Sequence, residues 1–176
     1  WVQWTVLLPR EIDSDEFRDI KAIGAQALTA LGMTTGVSHC EWFRRTDGSV
    51  AISEIAARPP GANMTTMISR ANDIDFVGAW VRLMVHGEFA VPERKYAVGA
   101  AYLRGQGSGV VRHIEGLDVI ERDIGHLICD HRLPHLGQGS TGSYEGEGFI
   151  IVRHWDSRVV REALTKIVST VKVTLG

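Results

Sequence analysis

Hydrophobic and polar positions follow two rhythms along this chain, and each change of rhythm marks an element. Residues 2–8 are apolar and β-favouring, and Pro9 ends the run by removing a ladder donor. Phe17, Ile20, Ile23, Ala27, Leu28 and Leu31 then recur at helical spacing, with Gly32 as the stop. Asp13-Ser14-Asp15-Glu16, just ahead of them, reads as a capping box. Strand-like runs at 38–45 and 49–57 flank Thr46-Asp47-Gly48, which is a hairpin signal. Beyond Arg58-Pro59-Pro60-Gly61, helical patterns cover 64–70 and 75–86, the second closed by Gly87.

The remainder reads as short strands at 98–104, 109–114 and 118–121, separated by glycines, then a mixed strand and loop region over 125–148. A strand is expected at 149–153. Asp156 then caps a helix whose apolar face is Val159, Val160, Ala163, Leu164, Ile167 and Val168. Neither an internal repeat nor a low-complexity tract interrupts this order. The expected fold class is α+β, an antiparallel sheet with packed helices.

Composition narrows the function. With 176 residues, 44% of them hydrophobic, the chain can bury a substantial core. The formal net charge is -2 and the basic residues are scattered, so no stripe for nucleic acid forms. No run is long and apolar enough to suggest a membrane span. The two cysteines, Cys40 and Cys129, make neither a metal-spaced pair nor a disulfide framework, which leads to the expectation of a reducing, cytoplasmic setting. Trp1 begins a strand already in progress, so a longer amino-terminal region, or a tag, is expected to have preceded it.

The hairpin carries the chemistry. A two-residue turn at Asp47-Gly48 would pair Arg45 with Val50, Phe43 with Ile52, and Glu41 with Glu54. His39, Glu41 and Phe43 would then share a face with Ile52, Glu54, Ala56 and Arg58. Like charges facing each other across strands destabilise a sheet unless a cation or a shared proton lies between them. Oxygen ligands beside an arginine suit Mg²⁺ with a phosphate. A three-residue loop would offset the glutamates onto opposite faces, and two surface glutamates on an exposed strand pair is the plainer alternative.

His39-Cys40-Glu41-Trp42-Phe43, Thr46-Asp47-Gly48 and Ser53-Glu54-Ile55-Ala56-Ala57-Arg58-Pro59-Pro60-Gly61 together resemble the magnesium-binding hairpin of the ATP-grasp superfamily. The resemblance covers most of the chain, strongest over 32–88 and weaker over 96–173, and points to the carboxylate-amine ligase branch that includes L-amino-acid ligases. It implies the carboxyl-terminal half of an ATP-grasp fold: a metal- and ATP-binding lobe over 1–90 and a small α/β subdomain over 91–176. The amino-terminal domain and the lobe that covers ATP have no counterpart in these residues, so the isolated chain is expected to bind Mg-ATP weakly and turn over little.

What the resemblance implies for function is an ATP-dependent ligase that phosphorylates a carboxylate to an acyl phosphate and joins it to an amine, releasing ADP and phosphate. The cofactors implied are ATP and Mg²⁺, with Mn²⁺ as a substitute. Glu41 and Glu54 would hold the metal, Arg58 would contact the transferred phosphoryl group, and Phe43 would lie beneath adenine with Ile52 on the same nucleotide-facing surface. Gly61 and Asn63 would face substrate. The partners implied are a small carboxylate, an amine and the missing part of the same protein, and a homodimer is compatible with the sequence. Ala56 departs from the family pattern, since many members carry a further ligand, Asn, at that place. The branch that includes L-amino-acid ligases also has Ala-Ala-Arg after the second glutamate, so the resemblance implies a subtype. The alternative function is a non-catalytic binding or assembly module that keeps the half-fold.

Two other features tempt. Arg104-Gly105-Gln106-Gly107-Ser108-Gly109 suggests a phosphate loop, yet no helix follows it and no lysine stands at the required position. His126, His131 and His135, near Cys129 and Asp130, match no closed zinc spacing and read as loop histidines.

Overall fold

The computed structural model describes residues 2–176. In chain order the elements are β1 (Thr5–Leu8), a short 3-10 turn (Asp15–Phe17), α1 (Arg18–Ala30), β2 (His39–Arg44), β3 (Val50–Ala56), α2 (Met64–Asn72) and α3 (Phe76–His86). They continue as β4 (Ala97–Leu103), β5 (Gly105–Gln106), β6 (Val111–Glu115), α4 (Leu117–Ile124), a second 3-10 turn (Gly125–Leu127), β7 (Ile128–Arg132), β8 (Gly148–His154), α5 (Ser157–Thr170) and β9 (Lys172–Leu175). This is an α+β fold, as the sequence pattern led us to expect.

The chain folds as two compact units that are not contiguous in sequence. The hairpin unit takes residues 11–65 and 74–92, and the sheet unit takes the residues up to Arg10, 66–73 and everything from Glu93 onward.

In the sheet unit, four strands form an antiparallel sheet in the order β1-β4-β8-β7. All seven residues of β4 are buried, so both faces of this central strand are covered, and it reads accordingly as a nearly unbroken apolar run. α5 packs on β4 and β8 through Val160, Ala163, Leu164 and Ile167. Its approach is close: a Cβ at Gly99 of β4 would fall 2.6 Å from Leu164 Cδ1 and 2.9 Å from Val160 Cγ1, so a larger residue there would have to displace these two side chains. Asp156 caps α5 as expected, its carboxylate accepting the Arg158 N–H at 2.8 Å. Burial pushes the phenol of Tyr102, inside this core, up to about 12. β9 pairs with β5 in parallel and with β6 antiparallel, making a small second sheet.

In the hairpin unit, α1 packs against β3. Its half-buried positions Ile20, Ile23, Ala27 and Leu28 follow the helical stripe read from sequence, and none of its residues is fully buried. Asp75 caps α3 by accepting the Gly78 N–H at 3.0 Å, and Gly87 closes it in the left-handed conformation at φ 72°.

Three expectations require correction. Residues 118–121 are not a strand: Leu117, Ile120, Glu121 and Ile124 stand at helical spacing, and the chain builds α4 there. Gly116, read as a strand separator, is instead the residue before that helix, at φ 84°. The expected capping box does not form, because Ser14 makes no side-chain cap bond and heads the 3-10 turn, leaving Phe17 at the cap of α1. β9 gave no separate signal in the pattern, since Lys172–Leu175 follows α5 with a single intervening residue.

Gly116 yields a test. A Cβ there would meet the Thr170 carbonyl oxygen at 2.5 Å, in a backbone conformation already costly for other residues. Gly116→Ala should therefore destabilise the protein by more than about 1 kcal/mol, read as a lower midpoint in urea with an unchanged slope.

Candidate functional site

The turn of the β2–β3 hairpin has three residues. Arg45 N–H donates to the Ser49 carbonyl at 2.8 Å, which leaves Thr46, Asp47 and Gly48 as the loop, with Gly48 at φ 85°. One Asp47 carboxylate oxygen accepts from the Ser49 N–H at 2.9 Å and from the Ser49 hydroxyl at 2.7 Å, and these bonds hold its carboxyl below the usual range. The near half of the ladder is accordingly one residue off the two-residue expectation: Arg44 faces Val50, Phe43 faces Ala51, and Trp42 faces Ile52.

The register then shifts again. Between Trp42 and Glu41 the ladder skips Ser53, a β-bulge on β3, and beyond it Glu41 faces Glu54, Cys40 faces Ile55, and His39 faces Ala56. Two offsets cancel, and the carboxylates meet as the sequence led us to expect, by a different route. The expected pairing of Phe43 with Ile52 does not survive this. Ile52 stands opposite Trp42, on the same face as Arg44, whose guanidinium makes a fork with Asp19 of α1 at 2.8 and 3.1 Å. That face is the one α1 covers, so Ile52 is turned away from the glutamates.

The other face is open. Glu54 is half exposed, Phe43 is 57% exposed, and the Glu41 carboxylate makes no hydrogen bond or ion pair among the described residues. His39 sits on the same face with its side chain only 16% exposed, and its Nε2 lies 3.6 Å from Glu54 Oε1. The Nδ1 of His39 is buried without a partner. Cys40 points the other way, and burial pushes its thiol up. Ala56, facing His39, offers no oxygen where a third ligand would stand.

After β3 the chain turns through Arg58, Gly61 and Asn63 into α2. The Arg58 guanidinium is exposed, donates only to the Pro59 carbonyl at 3.1 Å, and forms no ion pair among the described residues. Met64 N–H closes the turn on the Gly61 carbonyl at 3.0 Å. Ala62 and Asn63 both occupy the left-handed region, at φ 53° and 61°, a strained arrangement that clusters at ligand sites. The Asn63 amide nitrogen is buried without a partner. A Cβ at Gly61 would touch nothing, so the glycine leaves open space rather than relieving a clash within the chain.

Taken together, the hairpin offers two facing carboxylates, one of them unneutralised, an unpaired guanidinium close by in sequence and an exposed aromatic ring. A pair of carboxylates fits Mg²⁺, which takes one or two protein oxygens and completes its octahedron with phosphate and water. Among the described residues no group of three or more ligating side chains comes together, so His126, His131 and His135 form no zinc centre. None of the described helices is long and apolar enough to cross a membrane.

No protein-family model matches the sequence, and no curated protein matches it. Solved structures do match in fold. An L-amino acid ligase from Bacillus licheniformis superposes with a TM-score of 0.80 at 18% identity, over 100% of this chain and 45% of that one. N5-carboxyaminoimidazole ribonucleotide synthetase from Thermotoga maritima gives 0.70 at 21%, over 98% and 46%. Phosphoribosylglycinamide synthetase from Anaerococcus prevotii gives 0.70 at 16%, over 99% and 46%. The chain thus spans less than half the length of the solved structures it matches.

The Asp19–Arg44 fork, which fixes α1 to the covered face, gives a pH test. Arg44 lowers the Asp19 pKa from its usual 3.8, so the stabilisation is fully present above that value and is lost as pH falls through the lowered one. Acid unfolding followed by circular dichroism should show a shallower acid limb in Asp19→Asn than in the unmodified chain.

Proposed function

On the premise that this fold is the carboxyl-terminal half of the ATP-grasp fold, we propose that the chain is the metal- and phosphate-facing half of an ATP-dependent carboxylate-amine ligase. The observation that carries this reading is the facing pair Glu41 and Glu54, with the Glu41 carboxylate unpaired among the described residues. A sheet tolerates such a pair readily when a cation joins it. In this reading the overall reaction moves the γ-phosphoryl group of ATP to a substrate carboxylate, and an amine then displaces the phosphate to give an amide, ADP and phosphate.

The residues divide the work. Glu41 and Glu54 would hold Mg²⁺, or Mn²⁺ in its place, and the metal when bound would neutralise charge on the phosphate oxygens. Arg58 would place its free guanidinium against the oxygens of the transferred group, where charge builds up and is best met by a donor already in position. Phe43 would offer its exposed ring to adenine. Gly61, with open space in place of a side chain, and Asn63, whose buried amide lacks a partner, would orient the carboxylate substrate. Ile52 drops out of the nucleotide-facing group because it lies on the face that α1 covers.

The second reading is a binding or assembly module that retains the half-fold without turnover; Ala56, which offers no oxygen opposite His39, is compatible with it and equally with a ligase subtype whose metal rests on Glu41 and Glu54. The two readings part on one substitution. In a longer protein containing this chain and the ATP-covering lobe, Glu41→Gln should slow ADP release about 10²- to 10³-fold, the cost of losing one group that stabilises transition-state charge. A wild-type rate in that variant would exclude the ligase reading.

Metal binding is testable on the 176-residue chain itself. Mn²⁺ should broaden the amide signals of residues 39–43 and 52–58 selectively, and Glu54→Gln should abolish the effect. Uniform broadening, or broadening that persists in the variant, would refute the carboxylate pair as the metal site.

A further inference from the structure

Within the sheet unit, a cavity of about 460 Å³, lined by no residue of the hairpin, opens beside the ends of β7 and β8. That volume lies in the range of small-molecule sites, about 300 to 1,000 Å³. The lining residues with nitrogen-bearing side chains, Arg70, Arg153, His126, His154 and Trp155, can all donate hydrogen bonds. No aspartate or glutamate lines it. We propose that this cavity is a second ligand site, taking the phosphate group of a small molecule independently of the glutamate pair.

The donors are held in place before any ligand arrives. Arg153 stacks over the Tyr96 ring at 4.6 Å and donates to Asp73 at 2.8 Å and to the Arg70 carbonyl at 3.3 Å. Arg70 is braced by Asp130 at 3.2 Å. His154 Nδ1 accepts the Asp156 N–H at 3.1 Å, so its neutral ring carries the proton on Nε2 and presents a donor. Trp155, 60% exposed and tilted against His154 with ring centroids 5.1 Å apart, gives the mouth a flat apolar wall.

The charge balance favours an anion. Asp73 and Asp130 offset two of the three cations Arg70, Arg153 and Lys95, and one positive charge remains before either histidine is protonated. Cys129, whose thiol burial pushes up, adds no negative charge to the lining. Forked guanidinium donors meeting from two elements, with imidazole N–H groups beside them, match a tetrahedral oxyanion that accepts on several sides.

The test is a titration of the 176-residue chain with inorganic phosphate, following the Trp155 indole N–H and the His154 and His126 ring signals by NMR. Sodium chloride at equal ionic strength is the control, and acetate is a second arm. Saturable shifts with phosphate, at least tenfold weaker with acetate and absent with chloride, are expected. Arg70→Met should weaken binding at least tenfold, and Arg70→Lys, which keeps the charge but loses the fork, should fall between. Glu41→Gln should titrate like the unmodified chain, which separates failure here from failure of the ligase reading. Shifts that follow ionic strength alone, equal shifts with acetate, or undiminished binding in Arg70→Met would each overturn the proposal, and the unmodified chain decides the first two even if a variant does not fold.

Discussion

Two negative charges set opposite each other on neighbouring strands are the constraint around which the hairpin unit is organised. A cross-strand glutamate pair costs free energy in an empty sheet, and nothing in the surrounding residues cancels the charge on Glu41. The unit answers by dividing its faces. The fork of Arg44 on Asp19 fixes α1 to one side, together with Trp42, Ile52 and Cys40, and leaves the other side open to solvent and to ligand. His39 stands beside the pair at 3.6 Å from Glu54, close enough to bias the carboxylate and too far to bond it firmly. In the proposed reading, this open face is where a cation would join the pair.

The sheet unit is built on the opposite principle. β4 is buried along its whole length, and α5 lies so close to it that a side chain at Gly99 would push Leu164 and Val160 aside. Close packing of this kind fixes positions to within a methyl group and gives a rigid frame. The guanidinium groups of Arg70 and Arg153 are held on that frame by Asp130, Asp73 and the Tyr96 ring, and such bracing reduces the ordering cost of meeting a ligand. The hairpin face is charge-strained, whereas the cavity of the sheet unit is charge-braced.

Most elements were legible in the sequence, and the errors have physical causes. α1, α3 and α5 stood out because apolar residues recur at helical spacing and Asp75 or Asp156 caps the start. α4 was misread because glycines bound it on both sides and its eight residues are short enough to pass for a strand. The hairpin showed the reverse: the meeting of Glu41 with Glu54 was reached through a turn that does not form. The signal for the true turn was present, since Thr46-Asp47-Gly48 ending in a left-handed glycine is a recognised three-residue loop. Nothing in the residue pattern announced the bulge at Ser53, because a bulge is settled by what the strand must face rather than by the residue itself. Ile52 lies on the other face because the three-residue turn sets it opposite Trp42, and the bulge then separates it from Glu54. The Arg70 and Arg153 cavity left no trace in sequence, as its donors come from segments far apart along the chain.

The bulge gives this hairpin a tolerance in length that a regular ladder lacks. With Arg45 and Ser49 closing the loop, a residue could be lost from Thr46-Asp47-Gly48 without moving any strand pair, because the ladder from Arg44 and Val50 onward would keep its partners. Loss of the bulged residue itself would leave Glu54 next after Ile52 and still opposite Glu41, in a regular ladder. Straightening the bulge with every residue kept would instead set Glu41 opposite Ser53 and turn Glu54 to the other face. The spacing between the two glutamates, counted alone, is therefore a poor guide to whether they still meet.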